Sequence, residues 1–184
     1  MTIVRIYGAP VLAVLPEHGR LAERFAEDKL ATRPYRLGWE AAKNYARSLI
    51  DGALSEFYVS RLLGLPDPDL DVHDGNHGAD IGRFQVKSYD HDRYAPERRS
   101  FVFYPEALRR TPEGNPILGV AWRQGVSGRE HRLRWCFSYG DAKRLAREPF
   151  TSTGRSRGAL AVYEEDLSSY VDRAPSFTDW TLKL

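Results

Sequence analysis

The apolar pattern of this chain changes period near residue 65. From Trp39 to Leu63, in "WEAAKNYARSLIDGALSEFYVSRLL", apolar and small residues recur at helical spacing, which predicts one long helix. Gly64 stands where a C-terminal cap belongs, and Pro66 blocks continuation. Upstream, "EHGRLAERFAEDKLA" predicts a weaker helix that stops before Pro34, preceded by the strand-like runs "IVRIY" and "VLAVL" on either side of Gly8-Ala9-Pro10. Downstream the pattern is that of strands: "RFQVKSY", "SFVFY", "PILGVAW", "RLRWCFSY" and "GALAVY" alternate or run apolar between Gly, Pro and charged turns. "GDAKRLAREP" predicts a short helix and "EEDLSSYV" a terminal one, while "PDPDLDVHDGNHGAD" reads as a loop ending in a glycine-rich turn. Helix, strands, helix, strand in this order predicts an α/β domain with a mixed central sheet flanked by helices. No internal repeat, low-complexity tract or linker divides it, so residues 1–184 read as a single domain.

Placed at about 100° per residue, the long helix puts Glu56 amid Ala42, Tyr45, Leu49, Gly52, Ala53, Val59, Ser60 and Leu63. Lys43, Arg47, Asp51, Tyr58 and Arg61 fall on the other side, with Leu54 the apolar exception. An ionised carboxylate on an apolar face needs a cation or strong donors beside it. A Glu–Arg pair closing the helix onto the sheet would satisfy that need; so would a site.

The stretch "GADIGRFQVKS" supplies candidate partners. At a strand period of two, Gln85, Lys87 and Tyr89 share one face, and Phe84, Val86 and Ser88 the other. Gly82 permits a tight reversal that brings Asp80 beside Gln85 and Lys87. Asp80 and the Gln85 carbonyl are oxygen donors of the kind Mg²⁺ prefers, and Lys87 is placed to orient or deprotonate a water or to offset charge on a phosphate. Taken singly, Asp80 is a turn former, Gln85 an exposed strand residue and Lys87 an edge-strand charge.

Composition narrows the classes. Charged residues make up 28% and hydrophobic ones 42%, with net charge +2, as in a globular protein. The arginines gather after residue 90, at Arg98, Arg99, Arg109, Arg110, Arg129, Arg132, Arg134, Arg144, Arg147, Arg155 and Arg157. That half is locally basic, which suits a polyanion and equally suits a solvated surface. Cys136 is the only cysteine, so an intramolecular disulfide and a thiolate zinc cluster are both excluded, and an apolar strand around it points to the core. The N-terminal twenty residues lack the continuous apolar run of a signal peptide, and no stretch is apolar enough to span a bilayer, so a cytoplasmic protein is expected.

A helix bearing Glu56, then Asp80, a short gap and Gln85-x-Lys87 on a strand resembles the PD-(D/E)XK nuclease superfamily, in a Q-x-K variant of the motif. The resemblance implies a restriction-endonuclease-like core from about residue 39 to 163, after an N-terminal strand and helix extension (1–38) and before a C-terminal helix and tail (164–184). It further implies a Mg²⁺- or Mn²⁺-dependent DNA endonuclease with Glu56, Asp80, Gln85 and Lys87 as catalytic residues. Asp80, Gln85 and Glu56 would hold the metal. Arg98, Arg99, Arg155 and Arg157 would contact nucleic acid, a homodimer would cut both strands, and neither an organic cofactor nor a membrane is implied. Ala79 stands where the family name places proline, and Gln85 where most relatives have an acid, as in Mrr-like restriction enzymes. Asp74 is the reserve candidate for the first acid.

Two other readings stay open. Gln85 favours a non-catalytic nucleic-acid-binding or assembly protein that keeps the fold. His73, Asp74, His77 and His91 around the glycine-rich loop favour, more weakly, a small-molecule phosphohydrolase. "TSTGRSRGAL" lacks the lysine of a P-loop, and no G-x-S-x-G marks a serine nucleophile.

Overall fold

The computed structural model describes residues 3–32, 38–70, 80–126, 128–148 and 158–181. The N-terminal strands are β1 (Ile3–Arg5) and β2 (Leu12–Ala13), followed by helices α1 (Pro16–Ala31) and α2 (Trp39–Leu63). Then come β3 (Gln85–Asp90), a 3-10 turn (Pro96–Arg98), β4 (Ser100–Phe103), α3 (Pro105–Arg110), β5 (Pro116–Gly125) and β6 (Gly128–Ser138). The chain closes with α4 (Tyr139–Leu145), β7 (Leu160–Tyr163), α5 (Glu164–Ser169), β8 (Val171–Arg173) and α6 (Phe177–Thr181).

The long helix has the bounds its pattern predicts. Gly64 takes the left-handed conformation (φ 65°) that ends a helix, and its N–H returns to the Ser60 carbonyl. The central sheet runs β3-β5-β6-β1-β8, with β2 also on β6. β5 and β6 are neighbours joined by a short turn and pair antiparallel. β3 and β5 pair parallel, because the chain between them makes a crossover through β4 and α3. β4 and β7 form a separate antiparallel ribbon. The architecture is α/β, a mixed sheet flanked by helices.

Alternation along the strands splits the core in two. Phe84, Val86, Leu118, Val120 and Leu133 meet Tyr58 and Val59 of α2. Tyr89, Ile117, Trp135 and Phe137 meet Phe101 and Phe103 of the ribbon and Tyr139 of α4. Gly119, between these layers, lets Phe101 come close; an added Cβ there would lie 2.6 Å from the Phe101 ring.

Three expectations change. The N-terminal segment is part of the main sheet, since β1 pairs with β6 and with β8. Elements α3, β8 and α6 have no counterpart in the predicted order. Tyr58, assigned by periodicity to the polar side of α2, is 3% exposed. Its hydroxyl donates to the Pro10 carbonyl (2.9 Å) and accepts from the Leu133 amide (2.8 Å), tying α2 to β6 and to the N-terminal loop. Helix α1 covers a second side of α2 through Phe25, Ala53 and Leu54, so α2 is buried over more of its circumference than one apolar stripe predicts. Among the described residues no helix is long and apolar enough to cross a membrane.

Candidate functional site

The candidate site begins at a five-residue reversal before β3. The Asp80 and Ile81 amides both donate to the Phe84 carbonyl (2.8 and 3.0 Å), and the Phe84 amide donates to Ile81 (2.8 Å). Gly82 turns the chain with φ 55°, and buried Ile81 and Phe84 anchor the turn in the core. The reversal lays Asp80 back along the start of β3. Its Oδ2 accepts from the Val86 amide (2.7 Å) and from the Gln85 side-chain nitrogen.

The predicted alternation holds in β3. Phe84 and Val86 join the core layer that faces α2. On the other face, the Lys87 ammonium stands over the Phe103 ring (5.6 Å) and Tyr89 meets Phe101 edge-on (5.2 Å). Gln85 is buried there, and its Oε1 accepts from the Tyr139 hydroxyl (3.1 Å). Tyr139 also bonds Thr111, and burial raises its phenol pKa, so the hydroxyl remains a donor. Nothing in the sequence flags Tyr139, which lies in a different element and meets Gln85 only through folding.

Glu56 comes from α2 into the same neighbourhood. Burial pushes its pKa up to about 8; the charge of Asp80 adds to that rise and Lys87 opposes it. Asp80 is raised as well, with burial outweighing Lys87, the Val86 amide and the Gln85 amide. The fold therefore brings two acids and one lysine into one partly desolvated space, with a neutral amide bonded to one of the acids.

In this arrangement the Gln85 nitrogen, not its oxygen, faces Asp80. The expected role of the Gln85 carbonyl as a metal ligand requires the amide to turn over. Tyr139 permits this, because a hydroxyl both donates and accepts. Among the described residues no group of three or more His, Cys, Asp or Glu is placed to hold a metal; the available oxygen donors are the two carboxylates and this amide.

The other candidate residues are distributed differently from expectation. Arg99 is not a free phosphate contact: it pairs with Glu164 (3.8 Å) and donates to the His91 and Tyr94 carbonyls (3.1 and 3.3 Å). Arg98, in the 3-10 turn, is exposed. His73, Asp74, His77, Ala79, Arg155 and Arg157 lie outside the described residues. His91 sits beside Asp92 (3.0 Å) on the surface at the far end of β3. Cys136 packs against the core, and burial pushes its thiol up to about 11, which leaves it a poor nucleophile.

A second ionic cluster was not anticipated. Arg129 and Arg47 (3.8 Å) both pair with Asp51, and Arg47 reaches Asp90 (3.2 Å). Both guanidiniums lie against the Trp122 ring, at 5.6 and 5.0 Å for Arg47 and Arg129.

Comparisons with protein-family models, with curated proteins and with solved structures find no match to this chain.

Proposed function

We propose that this chain is a metal-dependent DNA endonuclease with a restriction-endonuclease-like core. One observation carries the reading: Glu56, Asp80 and Lys87, from a helix, a turn and a strand, share one partly buried space in which Asp80 raises and Lys87 lowers the proton affinity of Glu56, and Lys87 lowers that of Asp80. An acid pair with a single lysine has an unmet demand for positive charge, and its donors are the hard oxygens that Mg²⁺ or Mn²⁺ takes. The residues present fit such an ion, with Asp80, Glu56 and, after its amide turns, Gln85 as the ligands. When bound, the ion supplies Lewis-acid stabilisation of the phosphate oxygens.

The chain's own groups do the rest. Lys87 holds the attacking water by its lone pair and offsets charge developing on the phosphate. The water oxygen bonds to phosphorus and gives up a proton to solvent, the bond from phosphorus to the leaving sugar oxygen breaks, and that oxygen takes a proton from solvent water. Burial around Glu56 and Asp80 strengthens each of these interactions. Arg98, with Arg155 and Arg157, would hold the phosphate backbone, and a second copy would serve the other strand.

A non-catalytic nucleic-acid-binding or assembly role has one observation in its favour: Gln85 satisfies both ends of its amide through Asp80 and Tyr139 without a metal. Cleavage of supercoiled plasmid and linear duplex in Mg²⁺ and Mn²⁺, with and without chelator, separates the readings. The nuclease cuts only with metal, and Lys87→Ala lowers the rate by about 10²–10³-fold. Duplex binding without cleavage under any metal supports the non-catalytic role.

A further inference from the structure

At the far end of the sheet from Asp80 lies a pocket of about 200 Å³ between β5, β6, Val11 and the residue after β3. Gln85 and His91 bracket β3, so at about 3.3 Å per residue the two sites stand roughly 20 Å apart. The walls carry Arg123, Arg132 and Arg134 with His91 and Trp122. Glu130 is the one acid among them.

The arginines differ in how far they are committed. Arg123 spends two nitrogens on one Glu130 oxygen (both 3.0 Å). Arg134 makes a long contact to Glu164 (3.5 Å). Arg132 is exposed and has no hydrogen-bond or ion-pair partner among the described residues. Each guanidinium has five N–H donors, so most of them are unused. With Arg123 on Glu130 and Arg134 on Glu164, the Arg132 guanidinium is left without an acid among the described residues, a positive charge open to a phosphate oxygen.

His131 takes no part in this pocket: it is 1% exposed and stacks on Tyr58 of α2 (5.9 Å), on the opposite face of β6 from its neighbour Arg132. Trp122 provides no stacking platform, because Arg47 and Arg129 already lie against its ring. The pocket is thus built for an anionic group rather than for a base.

We propose that the pocket between β5 and β6 binds a phosphoryl group, gripped by Arg132 with Arg123 and Arg134. The phosphoryl group belongs either to a free nucleotide or to a polynucleotide backbone. The pocket stands whether or not Asp80 and Lys87 form a nuclease centre.

Calorimetric titrations at low salt with inorganic phosphate, deoxyadenosine 5′-monophosphate, deoxyadenosine and a 12-base-pair duplex test it on the full chain. The phosphate-bearing probes bind, deoxyadenosine does not, and Arg132→Ala weakens binding about tenfold or more while Arg132→Lys falls between. Asp80→Ala leaves this affinity unchanged, so loss of cleavage and loss of the pocket are read separately. If only the duplex binds, and Arg132→Ala weakens it and lowers its salt slope by about one, the phosphoryl group is that of the backbone. If the monophosphate binds as the duplex does, it is that of a nucleotide. Deoxyadenosine binding as tightly as its monophosphate, no binding by any probe, or Arg132→Ala leaving every affinity unchanged overturns the proposal. Arg132 is exposed, and an unaltered circular-dichroism spectrum and Tm confirm that its variants fold.

Discussion

Two acids of helix α2, Asp51 and Glu56, lie little more than one turn apart, and their surroundings differ in charge balance. Asp51 meets Arg129 and Arg47, and Arg47 continues to Asp90, giving two acids and two arginines. Glu56 meets Asp80 and one lysine. Burial raises both pKa values, but Asp51 only to about 6, with Arg129 and Arg47 pulling against it, while Glu56 reaches about 8. A matched cluster ties α2 to β3 and β6 and asks for nothing further. The unmatched one keeps a proton on Glu56 in place of a second cation, a proton that a bound metal ion can displace.

The widest separation between the two clusters is expected in cleavage. Glu56→Gln keeps the shape of the side chain but removes its capacity to ionise on a bound cation, and should lower metal-dependent cleavage by about 10–100-fold with little change in Tm. Arg129→Ala should do the reverse. It leaves Asp51 half-buried without its nearest cation and should cost about 2–3 kcal/mol in urea denaturation, below the range for fully buried pairs because Arg129 is 25% exposed. Its cleavage per folded molecule should match the parent.

A smaller effect appears in the pH dependence of stability. The Asp51 pKa is raised on folding, so the unfolded chain releases this proton first as pH rises. Its contribution is greatest below about pH 4, declines between about 4 and 6, and is level above that window. Asp51→Asn should remove this part of the decline, visible as a parent-minus-variant difference in urea midpoints that falls as pH rises from about 4 to about 6. An unchanged difference would show that the arginines, not burial, dominate there.

The smallest expected effects concern the amide. Gln85→Glu supplies the missing charge and should tighten Mn²⁺ binding about tenfold by calorimetry. Tyr139→Phe removes the donor on Oε1, frees the amide to turn, and should change Mn²⁺ affinity by less than that. If neither variant alters Mn²⁺ binding, Gln85 is not a ligand.

What the sequence made legible was local. The bounds of α2 rest on a helical period and a glycine cap. The gathering of Asp80, Gln85 and Lys87 rests on one turn and the two-residue period of β3, all within eight positions. Glu56 was found because a charge on an apolar face stands out on a helical wheel. The remainder depends on contacts distant in sequence. The parallel register of β3 on β5, the β4–β7 ribbon and the placing of β8 on β1 leave no local trace. A helical wheel puts Tyr58 on the polar side of α2 because it cannot show that β6 and the N-terminal loop cover that side. Arg99 looked like a phosphate contact because composition records a charge but not the Glu164 that accompanies it. Tyr139 was missed for the same reason: its part is defined by a hydrogen bond across 54 residues.

The central claim is that the unmatched cluster is a metal-dependent nuclease centre and the matched one is not. Plasmid nicking by the parent, Asp80→Ala and Asp51→Asn, each with Mg²⁺, with Mn²⁺ and with chelator, tests it most directly. The account predicts that the parent and Asp51→Asn nick at similar rates with metal and not with chelator, while Asp80→Ala does not nick under any condition. Asp80→Ala nicking like the parent, or a folded parent that never nicks, would contradict it.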